Sequence, residues 1–333
     1  MNSPKAVRRK RNRRLTRWLL LIVGLAIIAI VLVILLIINS FGPTPIIPPG
    51  SSPPPSTPGA QRPDSQPASC PDVETVVIPG TWESSASDDP FRPHANPRSL
   101  MLRVSKALQE QFPTSRTEVY TVPYMAQFRN PTNLADRQAD YNTSRSQGYK
   151  RAAGRISSVN EKCPLTRFVI MGFSQGAVIA GDLASIIGTE RGVLPKGNED
   201  LVLGIGMIAD GRREAGKQHD IGPNPDGVGA EIALAGIGGL VPGIKFNGPR
   251  QQGFGSLQER VQSICAPGDL ICDSPTVANP LRAVTQLAGA INNPVHAMYA
   301  TPKYWQVDGS TATQWMYGWS ADLITAAPRP KHS

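Results

Sequence analysis

The sequence predicts an α/β fold of the α/β-hydrolase type, a three-layer sandwich whose central, mostly parallel sheet is covered by helices on both faces. Short apolar, β-branched runs alternate with amphipathic segments along residues 70–326, as in parallel sheets. A glycine-flanked serine, GFSQG at 172–176, lies between one such run and a helical segment. One uncharged run, Trp18–Ile38, precedes this region and predicts a single transmembrane helix.

The N-terminal segment accounts for most of the net charge. Eight basic and no acidic residues lie within residues 1–17, so the formal charge of +9 leaves the remainder near neutral and argues against nucleic-acid binding. As a helix, Trp18–Ile38 is about 31 Å long, which matches a bilayer core. Because basic flanks stay in the cytoplasm, we expect an uncleaved signal anchor in the cell membrane, with the folded domain on the extracytoplasmic, periplasmic side. A cleaved signal peptide is the alternative.

A linker and a folded region follow the anchor. Residues 39–69 are rich in Pro, Ser and Gly, with ten prolines among residues 42–69, which favours an extended tether. We expect a single, monomeric catalytic domain over residues 70–326, followed by a polar tail at 327–333.

The elements of the folded region can be predicted in order. Four apolar runs predict buried strands: Val73–Ile78, Thr117–Val122, Arg167–Met171 and Leu201–Ala209. Three segments between or after them predict helices: Ser99–Gln111, Arg145–Asn160 and Ala177–Ile187. A last helix is expected after His296.

The strand–turn–helix around Ser174 predicts a catalytic nucleophile. Side chains at Gly172 and Gly176 would collide with the neighbouring strand and helix, and this tight turn raises the serine hydroxyl above the sheet. The N–H of Gln175 then faces the position of an oxyanion, and the glycine turn after the first strand offers the N–H of Thr81 as a second donor. The alternatives are an inert serine and an ordinary strand-ending turn.

A serine nucleophile needs a base and an acid. The order Ser, acid, His of α/β-hydrolases favours His296 as the base and Asp269 as the acid. The competitors are His219 for the base, and Asp210 and Asp273 for the acid. The remaining histidines are His94 and His332.

Four cysteines lie on the predicted outer side, and their even number indicates two disulfides. The short segment Cys265–Cys272 favours a local bridge, which would leave Cys70 with Cys163. Three pairings are possible from sequence alone, and a zinc site is the other alternative.

Three segments resemble the cutinase family: CPLTRFVIMGFSQGA at 163–177, CAPGDLIC at 265–272 and HAMY at 296–299. The resemblance implies an α/β-hydrolase with a five-stranded parallel sheet and two disulfides. It implies a Ser174–Asp269–His296 triad with oxyanion donors at Gln175 and Thr81. It also implies activity on carboxylic esters without a metal or cofactor.

Two features depart from compact cutinases. The gap between Asp269 and His296 is 27 residues long, and residues 230–254 form an extra glycine-rich, apolar segment. We expect this segment to bind acyl chains or to add to the core. Its candidate acyl-binding residues are Ile232, Leu234, Ile237, Leu240, Phe246 and Phe254.

These observations predict a membrane-tethered serine esterase or lipase that hydrolyses lipid esters, with phospholipids and thioesters among the candidate substrates. Acyl transfer to an envelope lipid or sugar is one alternative, because the same triad serves it. A lipid-binding module without activity is the other.

Overall fold

A computed structural model of the chain describes residues 62–130, 135–235, 243–275, 289 and 293–333. Within these ranges, no helix combines the length and apolar character that a membrane span requires. The predicted anchor, Trp18–Ile38, and most of the predicted linker lie outside the described residues.

The described strands form one sheet of six parallel strands in the order β2-β1-β3-β4-β6-β5. Their bounds are β1 Val73–Ile78, β2 Thr117–Thr121, β3 Arg167–Phe173, β4 Val202–Ile208, β5 His219–Asp220 and β6 Val261–Ile264. The sheet has one strand more than the five that the family resemblance implied. The additional strand is β5, whose two polar residues give no apolar run that could have predicted it.

Five α-helices accompany the sheet among the described residues: α1 Leu100–Gln111, α2 Tyr141–Lys162, α3 Gln175–Gly188, α4 Ala230–Ala233 and α5 Ala312–Ala326. The starts of α1 and α2 are set by N-caps. Ser99 Oγ accepts the Leu102 N–H at 3.1 Å, and Asp140 Oδ1 accepts the Thr143 N–H at 2.9 Å. The Asp140 cap starts α2 four residues before the predicted Arg145.

Helices cover both faces of the sheet, which confirms the predicted three-layer α/β architecture. Ile170 of β3 shares one buried cluster with Ile156 of α2 and Ile179 of α3. Its neighbour Met171 points to the other face and shares a second buried cluster with Met316 of α5. This alternation is the two-residue period of a strand buried on both sides.

The structure contains the two disulfides that the sequence favoured, Cys70–Cys163 and Cys265–Cys272. All four cysteines are therefore paired, and none is left to bind zinc. The first bridge joins the segment before β1 to the end of α2. The second closes a loop directly after β6.

The two ends of the described domain pair with each other. The Gln66 N–H donates to the Lys331 carbonyl, and the Ser333 N–H donates to the Gln66 carbonyl, both at 2.9 Å. His332 Nε2 lies 3.0 Å from Asp72 Oδ1, and this hydrogen bond raises the pKa of His332. The predicted polar tail thus packs beside the N-terminal edge of the domain.

Candidate active site

Ser174 lies in a strained turn between β3 and α3. Its φ is 55° and its ψ is −119°, in a region that residues other than glycine rarely adopt. A Cβ on Gly172 would lie 2.2 Å from the Gly176 carbonyl oxygen, and one on Gly176 would lie 2.1 Å from the Ile78 carbonyl oxygen. Only glycine fits at either position, and the turn holds the Ser174 hydroxyl at the carboxyl end of the sheet.

His296 contacts the serine. Its Nε2 lies 2.8 Å from Ser174 Oγ, although the two residues are 122 positions apart in the chain. The histidine belongs to a 3₁₀ turn, Pro294–Ala297, whose start is capped by Asn293 through the Val295 N–H at 2.8 Å. The imidazole also stacks on the Phe173 ring, with centroids 4.9 Å apart. Cap and stacking together fix the ring against the hydroxyl.

Asp269 completes the arrangement behind the histidine. Its Oδ2 lies 2.9 Å from His296 Nδ1, and its side chain is fully buried. Burial by itself raises the pKa of Asp269, but the charge of His296 and hydrogen bonds from His296, Tyr299 and the Ile271 N–H outweigh it and lower that pKa. The structure thus brings together the three side chains that the sequence placed in one catalytic group.

Tyr299 is a site residue that the sequence reasoning missed. Its hydroxyl donates to Asp269 Oδ2 at 2.7 Å and accepts the Ala266 N–H at 3.0 Å. The phenol is buried, and it contacts the same carboxylate oxygen as His296, so it helps to fix the orientation of Asp269. The residue stands within the quoted HAMY segment, and its position three residues after the histidine was the available signal.

The other candidate acids and bases are engaged elsewhere. Asp210 pairs with Arg250 at 2.6 Å. Asp273 accepts the N–H groups of Gly227 and Gly268. His219 is half exposed and lies 3.0 Å from Glu259.

Two backbone N–H groups beside Ser174 have no acceptor among the described residues, those of Gln175 and Thr81. The side chain of Gln175 is held by the Ser144 hydroxyl at 2.8 Å and reaches the Gln127 carbonyl at 3.4 Å. The N–H at the start of α3 therefore remains available to a developing negative charge.

The Thr81 turn is held in place by a buried carboxylate. Glu83 Oε2 accepts the Gly80 N–H at 2.9 Å, and Oε1 accepts the Leu100 N–H at the start of α1. Burial raises the pKa of Glu83, although these amide hydrogen bonds oppose the shift. The Pro79 carbonyl is bound by the Tyr124 hydroxyl at 2.6 Å. The turn is thus fixed to the start of α1 and to the segment that follows β2.

Ser174 opens into a cavity of about 430 Å³, a size common for small-molecule sites. The apolar part of its wall comprises Trp82, Leu100, Phe128, Tyr141, Phe173, Val178, Ala230, Phe246, Ile271 and Ala297. The polar part comprises Thr81, Glu83, Asn96, Arg98, Glu231 and Asn293.

The candidate acyl-binding residues have different positions. Phe246 lines the cavity. Leu234 is buried behind the wall, in a cluster with Tyr141 and Ala230. Ile232 is half-buried and does not line the cavity, and Ile237 and Leu240 lie outside the described residues.

Phe254 belongs to the core rather than to the cavity. It is 2% exposed in the cluster beneath α3, with the Arg250 guanidinium 5.5 Å from its ring centroid. The sequence showed an apolar residue here, but it could not show which side of α3 the residue contacts.

The chain is similar to several known proteins. A sequence model of the cutinase family matches residues 92–301. The Carboxylesterase Culp6 homolog of Corynebacterium glutamicum is 45% identical over 269 residues, which cover 79% of this chain and 84% of that protein. A cutinase-like protein from Cryptococcus sp. is 15% identical with a TM-score of 0.45, covering 81% of this chain and 100% of its own. The catalytic core of acetyl xylan esterase from Trichoderma reesei is 18% identical with a TM-score of 0.46, covering 78% and 100%.

Proposed function

Because this chain belongs to the cutinase family and is a carboxylic ester hydrolase, we propose that it is a serine esterase that hydrolyses lipid esters at the outer face of the cell membrane. The observation that carries the proposal is the series of contacts from Ser174 Oγ to His296 Nε2 at 2.8 Å and from His296 Nδ1 to Asp269 Oδ2 at 2.9 Å. A base that is already in hydrogen-bond contact with the hydroxyl can remove its proton during attack.

The reaction proceeds in two halves. Ser174 Oγ attacks the ester carbonyl carbon while His296 Nε2 takes the hydroxyl proton. The π electrons of the carbonyl group move to the carbonyl oxygen, which becomes an oxyanion. The N–H groups of Gln175 and Thr81 bind that oxyanion. Collapse of the tetrahedral intermediate breaks the C–O bond, and His296 returns the proton to the departing alcohol. Water, deprotonated by His296, then releases the acid and restores Ser174.

Asp269 keeps His296 in the required form. Its buried carboxylate accepts a hydrogen bond from the Nδ1–H of His296, which keeps the proton on Nδ1 and leaves Nε2 free to accept the proton of Ser174. The negative charge also stabilises the imidazolium that forms in each half-reaction. Tyr299 holds the carboxylate in place while this happens.

The cavity wall supports an acyl chain as the group bound next to the serine. Phe128, Val178 and Phe246 offer apolar surface, and each buried methylene contributes about 0.8 kcal/mol. The predicted anchor at Trp18–Ile38 would keep the domain near membrane lipids. We therefore propose lipid esters as substrates, with phospholipids and acyl thioesters in the same class.

The activity is tested with the purified full-length chain in a non-ionic detergent and p-nitrophenyl esters from acetate to palmitate. Ser174→Ala should lower kcat by at least about 10³-fold. Ser157→Ala is the matched control, since that hydroxyl bonds the Val193 carbonyl at 2.7 Å, away from the site. Equal rates for Ser174→Ala and the unchanged chain would refute the proposal.

Two further experiments test the nucleophile and the acceptor. A fluorophosphonate should label Ser174 alone. Products formed in the presence of added acceptor alcohols show whether acyl transfer competes with hydrolysis.

The membrane location is tested separately. Membranes from cells that express the full chain are washed with alkaline carbonate. In a second experiment, spheroplasts, which have lost the outer envelope but keep a sealed cell membrane, are treated with protease. The proposal expects the chain to stay in the membrane pellet and the catalytic domain to be digested from outside. Release by carbonate, or protection of the domain, would contradict it.

A further inference from the structure

Arg98 carries an unpartnered charge in the wall of the catalytic cavity. The two carboxylates in the same wall already have hydrogen-bond partners. Glu83 accepts two backbone N–H groups, and Glu231 accepts the Tyr141 hydroxyl at 2.6 Å and Arg145 Nη1 at 2.7 Å. The Arg98 guanidinium makes no hydrogen bond or ion pair with any residue that the structure describes. Its five N–H donors are therefore available to a ligand.

The backbone of Arg98 is fixed close to the reacting groups. Its N–H donates to Asn96 Oδ1 at 2.9 Å, and Asn96 Nδ2 donates to the Trp82 carbonyl at 2.8 Å. Trp82 directly follows Thr81, whose N–H is a proposed oxyanion donor. Arg98 also precedes Ser99, the N-cap of α1. Two hydrogen bonds and a helix start thus hold this arginine beside the oxyanion turn.

The polar and apolar parts of the cavity come mainly from different segments. The continuous segment 81–98 supplies Glu83, Asn96 and Arg98 together with one apolar residue, Trp82. Phe128, Val178 and Phe246 come from three other segments. An acyl chain gains most from the apolar side. The alcohol part of the ester, on the other side of the carbonyl, then lies toward Asn96 and Arg98.

We propose that Arg98 forms a subsite for an anionic group, a phosphate or sulfonate, on the alcohol part of the ester. A guanidinium can bind two oxygens of such a group at once. This inference rests on the proposed function, because it concerns the substrate of the Ser174 site. It defines the substrate class as acyl esters of negatively charged alcohols.

The test uses three butyrate esters whose alcohols differ in charge: isethionate (anionic), 2-(methylsulfonyl)ethanol (neutral and of similar size) and choline (cationic). The full-length chain is compared with Arg98→Gln, Arg98→Glu and the control Arg103→Gln. Arg103 is exposed on α1 and does not line the cavity. Ratios of kcat/KM between each variant and the unchanged chain cancel the different reactivities of the three leaving groups.

Arg98→Gln should lower kcat/KM for the isethionate ester about fivefold, the effect of one exposed charge pair, and leave the neutral ester unchanged. Arg98→Glu should lower kcat/KM for the isethionate ester further and raise kcat/KM for the choline ester. Sodium chloride at 0.5 M should reduce the preference of the unchanged chain but not that of Arg98→Gln. Arg103→Gln should behave like the unchanged chain.

Other results would overturn the subsite. An equal loss on all three esters would make Arg98 a structural residue, and no loss on any would exclude the contact. Methyl hemisuccinate carries its negative charge on the acyl part. If Arg98→Gln lowered kcat/KM more for this ester than for the isethionate ester, Arg98 would lie on the acyl side of the site and not on the alcohol side. In each of these cases, hydrolysis of the neutral ester that depends on Ser174 would still support the proposed esterase activity. If no ester were hydrolysed, both the esterase and the subsite would be refuted.

A last comparison identifies the source of the anion. Dioleoylphosphatidylglycerol and dioleoylglycerol, each in mixed micelles with the same non-ionic detergent, share their acyl chains but differ in the anionic phosphoglycerol group. An Arg98→Gln loss that is seen on the isethionate ester and also on the phospholipid, but not on dioleoylglycerol, indicates a lipid headgroup. A loss confined to the isethionate ester indicates a soluble anionic alcohol, and either result supports the subsite.

Discussion

Asn293 donates a hydrogen bond from Nδ2 to the carbonyl oxygen of Gly268 at 2.8 Å. The same amide caps the His296 turn through Oδ1, and Gly268 directly precedes Asp269. One side chain therefore joins the turn that carries the base to the loop that carries the acid. This link fixes the distance between His296 and Asp269 independently of their own hydrogen bond.

Asn293→Ser should keep an N-cap oxygen but lose the contact with Gly268, and Asn293→Ala should lose both. We expect kcat on a short ester to fall about fivefold for Ser, the effect of one hydrogen bond, and further for Ala. Steady-state kinetics on p-nitrophenyl butyrate provide the measurement. Unchanged kcat in both variants would show that the amide does not position the histidine.

Asp269→Asn should lower kcat about 10³- to 10⁴-fold, because an amide favours the wrong imidazole tautomer. It should also change acid stability. The folded-state pKa of Asp269 is lowered, so its ionised form stabilises the fold above its unfolded pKa of about 3.9, and this contribution is lost as the pH falls through the folded pKa. Urea unfolding at pH 7 and below pH 4 should show the stability difference shrinking on acidification. A constant difference would contradict the prediction.

We expect the Cys70–Cys163 disulfide to matter more for stability and the Cys265–Cys272 disulfide to matter more for catalysis. Their loops span 93 and 7 residues, so the chain-entropy model gives nearly 5 kcal/mol for Cys70–Cys163 and about 2 kcal/mol for Cys265–Cys272. Only the short loop carries Asp269. Replacing both cysteines of each pair by serine should therefore reduce unfolding free energy most for the first pair and kcat most for the second. The same ranking for both quantities would argue against a positioning role for the short loop.

Glu74 should make stability fall as the pH rises. Burial raises its pKa to about 7 despite hydrogen bonds from Arg155. Between about pH 4.5 and 7 the folded chain holds a proton that the unfolded chain has lost, so this group reduces the unfolding free energy by up to about 3 kcal/mol across that window. Glu74→Gln should remove this slope in urea titrations. Glu118→Gln, which loses a more exposed partner of the same arginine, serves as the control, and identical slopes in both variants would refute the assignment.

The sequence was most informative where local chemistry determines structure. The apolar runs predicted β1 without error and β3 to within two residues, since burial on both faces requires such runs. The glycines around Ser174 indicated the tight turn because no other residue fits there. The order of Ser174, Asp269 and His296 limited the candidates to the three side chains that the structure brings together.

The cavity wall was predictable only in part. Phe246 and Phe254 look alike in sequence, yet one lines the cavity and the other lies beneath α3. Phe128 and Tyr141 reach the wall from the connection between β2 and α2 and the start of α2, where no motif marks them. Which surface an apolar side chain meets depends on packing between distant segments, and single-sequence patterns do not record it.

The pairing of Gln66 with Lys331 and Ser333 brings the two ends of the catalytic domain side by side. A short glycine–serine bridge from Ser333 to Arg62 could therefore close the domain into a ring without stretching either end. New termini opened in a surface loop would then give a circular permutant whose strands are all intact. The same proximity means that a bulky fusion partner after Ser333 would lie beside the backbone at Gln66, so an epitope tag is better inserted in such a loop.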